Sequence, residues 1–260
     1  MPTAREQLTS RLRRIQEEIG VTADGVLGPE TLTALERRLE IPVSNRAASL
    51  ACSCASLELI LGFEVGSRQR YEKKFRRPTW PGGTSGVTIG IGYDLGVTAK
   101  GQIVCDWESH LTEAELAALL GVQGMTGAAA KRLLRRVAHV VIPLAVAEKV
   151  FYLETLPRFA ARTRTAFPGV GRLPPDAQGA MLSLVYNRGA ALTGDSRREM
   201  AEIARLLRSR EPDLEAIARQ FESMTRLWPD MKALRDRRQR EAQVVRAADR
   251  VYEPGEITRV

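Results

Sequence analysis

The chain has 260 residues, of which 44% are hydrophobic and 27% charged, an ordinary balance for a globular protein with a sizeable core. Its formal net charge of +8 favours an anionic partner, whether nucleic acid, a membrane surface or the bacterial wall, and does not choose among them. No apolar run reaches the roughly 20 residues of a membrane span, and MPTAREQLTSRLRRIQEE at the amino terminus contains none of signal-peptide length. Synthesis in the cytoplasm without a Sec signal and no membrane insertion are therefore expected, so action in the periplasm or on the cell wall would need delivery by another agent.

Residues 4 to 19 carry Leu8, Leu12 and Ile15 at helical spacing. Pro29 to about Leu39 is expected to form a second helix burying Leu32, Leu35 and Leu39, with Pro29 in its first turn. Between them Asp24-Gly25-Val26-Leu27-Gly28-Pro29-Glu30-Thr31 forms a glycine-bent turn. Two short helices around a D-G-x-x-G-P-x-T loop resemble the type one peptidoglycan-binding domain, over part of that module's length. The resemblance makes Asp24, Gly25 and Gly28 wall-binding candidates; a plain helical hairpin is the alternative. Pro42 to Ser53, rich in small and polar residues, reads as a linker. Cys52, Cys54 and Cys105 follow no metal spacing, and unpaired thiols are expected.

A short apolar helix with Leu59, Ile60 and Phe63 follows and ends on Glu64. A basic segment runs into Pro78, and the stretch from Pro81 to Gly86 is laden with glycine. Val87 to Asp94 alternates: Val87, Ile89, Ile91 and Tyr93 face one way, Thr88, Gly90, Gly92 and Asp94 the other, as in a half-buried strand. Two glycines on one face would leave a smooth trough for a ligand. Ala99 to Asp106 is expected as a short partner strand. Thr112 and Glu115 make a capping box ahead of Leu116, Leu119 and Leu120. Pro143 opens a helix with Val146, Val150 and Leu153 in line, and Gly169 to Pro175 breaks the pattern. Asp176 is expected to cap a helix buried through Ala180, Met181, Leu184 and Val185. Met200, Ile203, Ala204 and Leu207 mark another, and a basic helix runs from about Met231 to Ala248. A small strand-bearing lobe followed by a helical lobe is α+β in class.

An acid at a helix end, facing a strand with a hydroxyl and a second acid, suits a glycosidase. Such enzymes need one carboxyl to protonate the leaving oxygen and another to activate water or to attack. Thr88-Ile89-Gly90-Ile91-Gly92, with Glu64 ahead of it, resembles the active-site core of phage-type lysozymes. Leu182-Ser183-Leu184-Val185-Tyr186-Asn187-Arg188-Gly189 is similar to their buried helix, which closes on an Asn and a Gly beside the substrate cleft. Trp228 followed by Arg237-Arg238-x-x-Glu241-Ala242 is similar to their carboxy-terminal helix region. Those lysozymes carry an Asp six residues before the threonine, where this chain has Gly82. The pesticin-like branch carries its Asp six residues after, which here is Asp94. A straight strand of six residues spans roughly 20 Å, so the chain must turn at or near Gly90 and Gly92 to bring Asp94 to a cleft.

The resemblance implies a two-lobed lysozyme-like fold preceded by a short helical module: residues 1–45 the module, 46–56 a linker, 57–253 the catalytic domain. It implies a muramidase that cleaves the β-1,4 bond between N-acetylmuramic acid and N-acetylglucosamine, with inversion. Glu64 would be the general acid, holding its proton near neutrality, and Asp94 the anion that polarises water steadied by Thr88. Inversion needs the carboxyls about 6.5–9.5 Å apart. Tyr93 and Asn187 are candidate sugar contacts, although Asn187 could simply end its helix and Asp94 could simply cap the next turn. Arg197 is expected to hold its loop by pairing with Asp195, and His110 and His139 to be structural. No cofactor and no metal are expected. The partners implied are peptidoglycan glycan strands and, beyond them, an immunity protein or delivery system, with a monomer as the default. A non-catalytic wall-binding protein with this fold and a glycosidase acting on chitin or chitosan are the rival readings. Nucleic-acid binding rests on charge alone, since only 5% of residues are aromatic.

Overall fold

A computed structural model describes residues 4–38 and 49–260. Among these residues the fold is mostly helical, with two small antiparallel sheets of two strands each, and so is α+β. The chain divides into two compact units, Met1–Ile60 with Leu156–Val260, and Leu61–Thr155.

The first unit begins with helices Ala4–Glu18 and Pro29–Arg38, as the spacing predicts. Their apolar residues do not form the expected buried face. Leu8 and Ile15 are exposed, Leu32 and Leu35 are half-buried, and the buried positions are Gln16, Thr31 and Ala34. Leu39 lies outside the described residues. The join is polar instead: Gln16 Nε2 donates to Asp24 Oδ1 (2.8 Å), Val26 O (2.8 Å) and Thr31 Oγ1 (2.9 Å), while Gly25 N–H donates back to Gln16 Oε1 (2.7 Å). One amide thus uses both donors and its acceptor to tie the loop to both helices, which is what a buried polar group requires.

The expected linker is not one over its described part. Ala51–Ser53 is a strand paired antiparallel with Ile257–Arg259, in the register Cys52 to Thr258, and Cys54 already opens a helix. Leu50 and Cys52 are fully buried, and Ser53 Oγ donates to Asp176. That bond, with Arg250 Nε donating to Asp176 at 3.0 Å, occupies the carboxylate expected to cap the following helix; the helix starts at Pro175 with Pro174 as its cap residue. Helix Pro175–Arg188 is buried without a gap from Asp176 to Val185, packed against strand Ala51–Ser53 and helices Leu156–Ala166 and Lys232–Arg246. Apolar and small residues all round a helix are what burial on every side demands. Arg198–Leu206 and Lys232–Arg246 are helices as expected.

The second unit holds the other sheet. Val87 to Asp94 is not one strand but a hairpin: Thr88–Ile89 pairs with Tyr93–Asp94, and Gly90 (φ 56°) and Gly92 (φ 67°) turn the chain. Left-handed backbone is where glycine is favoured, and the alternation holds because both arms keep its phase. The glycines form no trough. A Cβ on Gly90 would stand 3.1 Å from Trp107 and 3.4 Å from Ala147, so that position serves core packing. Lys100–Trp107, expected as a partner strand, is a helix; Ile103 and Trp107, four residues apart, are buried on one side of it. The capping box of Thr112 and Glu115 is complete, with Thr112 N–H to Glu115 at 3.0 Å and Glu115 N–H to Thr112 Oγ1 at 3.3 Å. Helix Leu144–Val150 runs into a π-helical turn, Phe151–Thr155. The wider turn shifts the helical phase, so Leu153 is exposed while Phe151, Tyr152 and Thr155 are buried.

Candidate active site

In the second unit Thr88 is the centre of a small polar arrangement. Its backbone exchanges two bonds with Thr79 (2.8 and 2.9 Å), and across the hairpin its partner is Asp94. The Leu95 N–H to Val87 O bond (2.9 Å) brackets that pair, making it the kind without direct backbone bonds, in which side chains stand closest. The Thr88 hydroxyl reaches Gly86 O only at 3.5 Å, a weak tether.

Asp94, half-buried, is held by the backbone. Gly86 N–H is shared between Oδ1 and Oδ2 (3.1 Å each), and Gly96 N–H donates to Oδ1 at 2.7 Å. The last is the local turn bond weighed in the sequence reading. Oδ1 therefore receives two donors and Oδ2 a share of one, so Oδ2 keeps more capacity to accept from water. This cradle needs glycine at both positions. A Cβ on Gly86 would overlap the Asp94 carboxylate and the Gly96 backbone; one on Gly96 would stand 2.7 Å from Gly86 Cα and 2.8 Å from Met125 O. The pairing of Gly86 with Thr126, Gly127 N–H to Ser85 O (2.9 Å) and Trp80 Nε1 to Ser85 O (3.0 Å) fix the loop from outside. Sequence reading missed Gly86 and Gly96 as site residues, because a backbone donor leaves only a glycine as its signal.

Glu64, half-buried, lies one residue before the end of helix Cys54–Val65, whose last turn closes with Gly66 N–H to Gly62 O at 2.9 Å. It belongs to the same unit as Thr88 and Asp94. Tyr93 does not present a face to a ligand. Its ring is buried, meets Trp107 edge-on at 5.4 Å, and its hydroxyl donates to buried Asp106 at 2.6 Å, with Gln102 Nε2 on the other oxygen at 2.8 Å. Tyr93 is thus a core residue, and the hairpin's apolar side is what anchors its polar one.

Asn187 belongs to the first unit, on the last turn of helix Pro175–Arg188. Its Oδ1 accepts from Arg238 Nη2 at 3.3 Å, at the edge of a buried charge network. Glu241 accepts from Ser183 Oγ (2.5 Å), Arg238 Nη2 (2.9 Å) and Arg237 Nε (3.2 Å), and all four side chains are buried. Burial pushes the Arg238 guanidinium down to about 10 against the pull of Glu241. Asn187 also lines a surface cleft of about 320 Å³ with Arg188, Arg197, Trp228 and Leu234. Arg197 does not pair with Asp195; Arg226 (3.1 Å) and Arg198 (3.9 Å) do, and Arg197 Nη1 lies 3.4 Å from Met200 Sδ.

At the amino-terminal end, Asp24 Oδ1 accepts from Gln16 Nε2 and from Val26 N–H at 2.8 Å each, and Gly25 N–H goes to Gln16, so these groups shape the loop. Gly28 O accepts from Leu32 N–H at 3.0 Å, opening the second helix. Cys52, Cys54 and Cys105 are free thiols. Among the described residues no group of three His, Cys, Asp or Glu could hold a metal, and no helix is long and apolar enough to cross a membrane.

A family model described as a domain of unknown function, DUF8812, matches residues 60–155, a span that coincides with the second unit to within one residue. No curated protein matches the chain.

Proposed function

We propose that the chain is a peptidoglycan hydrolase, a muramidase on a lysozyme-like fold, with Glu64 as general acid, Asp94 as the anion that activates water and Thr88 as the group that steadies it. The observation that supports this most is the hairpin. Its turn at Gly90 and Gly92 sets a weakly tethered hydroxyl opposite a carboxylate whose Oδ2 retains accepting capacity, which is what positioning and polarising one water requires. The substrate would be the glycan strand of the wall, reached by delivery from the cytoplasm, and the net charge of +8 would favour approach to an anionic polymer.

The deciding experiment compares purified protein with Glu64→Gln on isolated peptidoglycan, measuring new reducing ends. Release by the wild type and its loss in the variant support the reading; equal release by both sinks it. One observation favours a second reading, a wall-binding protein without hydrolysis: three backbone contacts to the Asp94 carboxylate would equally serve a carboxylate that only shapes its loop. Binding to walls with no reducing ends from the wild type would establish it. Chitin or chitosan as substrate is separated by the masses of products from defined glycans.

A further inference from the structure

The cleft on the first unit is lined by two guanidinium groups and by no carboxylate. Arg188 and Arg197 both line it, and among the described residues neither has a carboxylate partner within ion-pair distance. Their neighbours differ: Arg226 reaches Glu199 at 2.6 Å and Asp195 at 3.1 Å, and Arg198 reaches Glu199 at 3.1 Å. Arg188 lies over the Trp228 ring at 4.8 Å and donates to Ser196 O, yet its Nε is buried with no partner among the described residues. Arg238, fully buried behind Asn187, likewise has Nε and Nη1 without partners there. Burial first, then Arg197, pushes the Arg188 guanidinium down to about 10, although Glu199 and Glu241 pull the other way. Unsatisfied guanidinium nitrogens are costly unless an anion completes them.

The rest of the lining narrows the ligand. The Asn187 carbonyl oxygen accepts from Arg238, and the cleft is lined by two guanidinium groups and no acidic group. Trp228 and Leu234 add apolar surface beside the charges. We infer that this cleft binds a short peptide through its free carboxylate, held by Arg188 and Arg197 and packed on Trp228. The class of peptide rests on the wall-hydrolase reading, under which the stems carried by glycan strands supply such carboxylates; the cleft itself does not.

The test uses the full chain and two synthetic acetylated tetrapeptides of one sequence, one ending in a free carboxylate and one in a carboxamide, titrated calorimetrically at low and physiological salt. Neither contains a glycosidic bond, so the outcome is independent of whether Glu64 catalyses hydrolysis. The acid should bind at least about tenfold more tightly than the amide, the scale of one hydrogen bond to a charged group, and salt should weaken it. Arg188→Gln and Arg197→Gln should each weaken the acid by about tenfold and leave the amide unchanged. If Arg188→Gln fails to fold, Arg197→Gln carries the comparison, since it is Arg188 that packs on the Trp228 ring. Absence of binding, equal affinity for acid and amide, or tighter binding of inorganic phosphate than of the acid peptide would each overturn the inference.

Discussion

Thr88 and Asp94 face one another across the one hairpin pair bracketed by the Leu95 to Val87 bond, and the same carboxylate is gripped by the N–H groups of Gly86 and Gly96. Asp94→Asn separates the two functions of that carboxylate. An asparagine Oδ1 still accepts from both glycines, so the fold should survive, but water is no longer polarised by an anion. The expected result is a loss of reducing-end release by about 10²–10⁴-fold with an unchanged melting curve. Full activity in this variant would leave Asp94 a loop-shaping residue only.

Gly86→Ala should damage the same site from the backbone side. The added methyl would overlap the Gly96 backbone, which cannot swing aside, and the Asp94 carboxylate, which would have to leave its cradle. Overpacking of this kind costs about 1–3 kcal/mol, measurable by urea denaturation, and activity should fall further than stability explains. Gly83→Ala is a poor control because of its own backbone angle (φ 55°), whereas Gly101→Ala adds a methyl to open space in a helix and should be tolerated.

Glu241→Ala tests the buried network of the first unit. Removing the carboxylate that Arg238 and Arg237 both contact leaves the fully buried Arg238 without its ion-pair partner. A loss of about 3–5 kcal/mol is expected from chemical denaturation. Glu241→Gln keeps an acceptor for Ser183 and should cost less.

The pH dependence of stability should show the surface network between helices Leu214–Ser223 and Lys232–Arg246. Hydrogen bonds from Arg246, then Arg219, hold the Glu215 carboxyl down to about 2, below the ordinary 4.5. A depressed carboxyl stabilises the fold fully above about pH 4.5, and that contribution is lost as pH falls towards about 2. Arg246→Ala should therefore flatten the acid limb of the melting temperature between those limits. An unchanged limb would show that the contacts of Arg246 to Glu215 (2.7 Å) and Glu222 (2.5 Å) contribute nothing in solution.

The parts of the fold written in local chemistry were legible: the Thr112 capping box, the helix ending near Glu64, the turn forced by Gly90 and Gly92, and the buried stripe around Met181. Those set by distant partners were not. Ala51–Ser53 looked like a linker because its pairing partner lies at Ile257–Arg259, and Asp176 looked like a cap because Ser53 and Arg250 are remote in sequence. Lys100–Trp107 misled through Ile103 and Val104, which suit a strand until Trp107 is counted four residues after Ile103. The site was legible as residue types and spacing. The grip of Gly86 and Gly96 on Asp94 was not, because main-chain N–H groups are common to every sequence.

The ties at Leu50 to Val260 and Cys52 to Thr258 also set an order of events during synthesis. The ribosome must reach Ile257–Arg259 before the early strand finds its mate, while Leu61–Thr155 is one continuous stretch that can organise as it emerges. Until then the early strand exposes an open edge to any other nascent chain, which makes the first unit the slower and more aggregation-prone of the two.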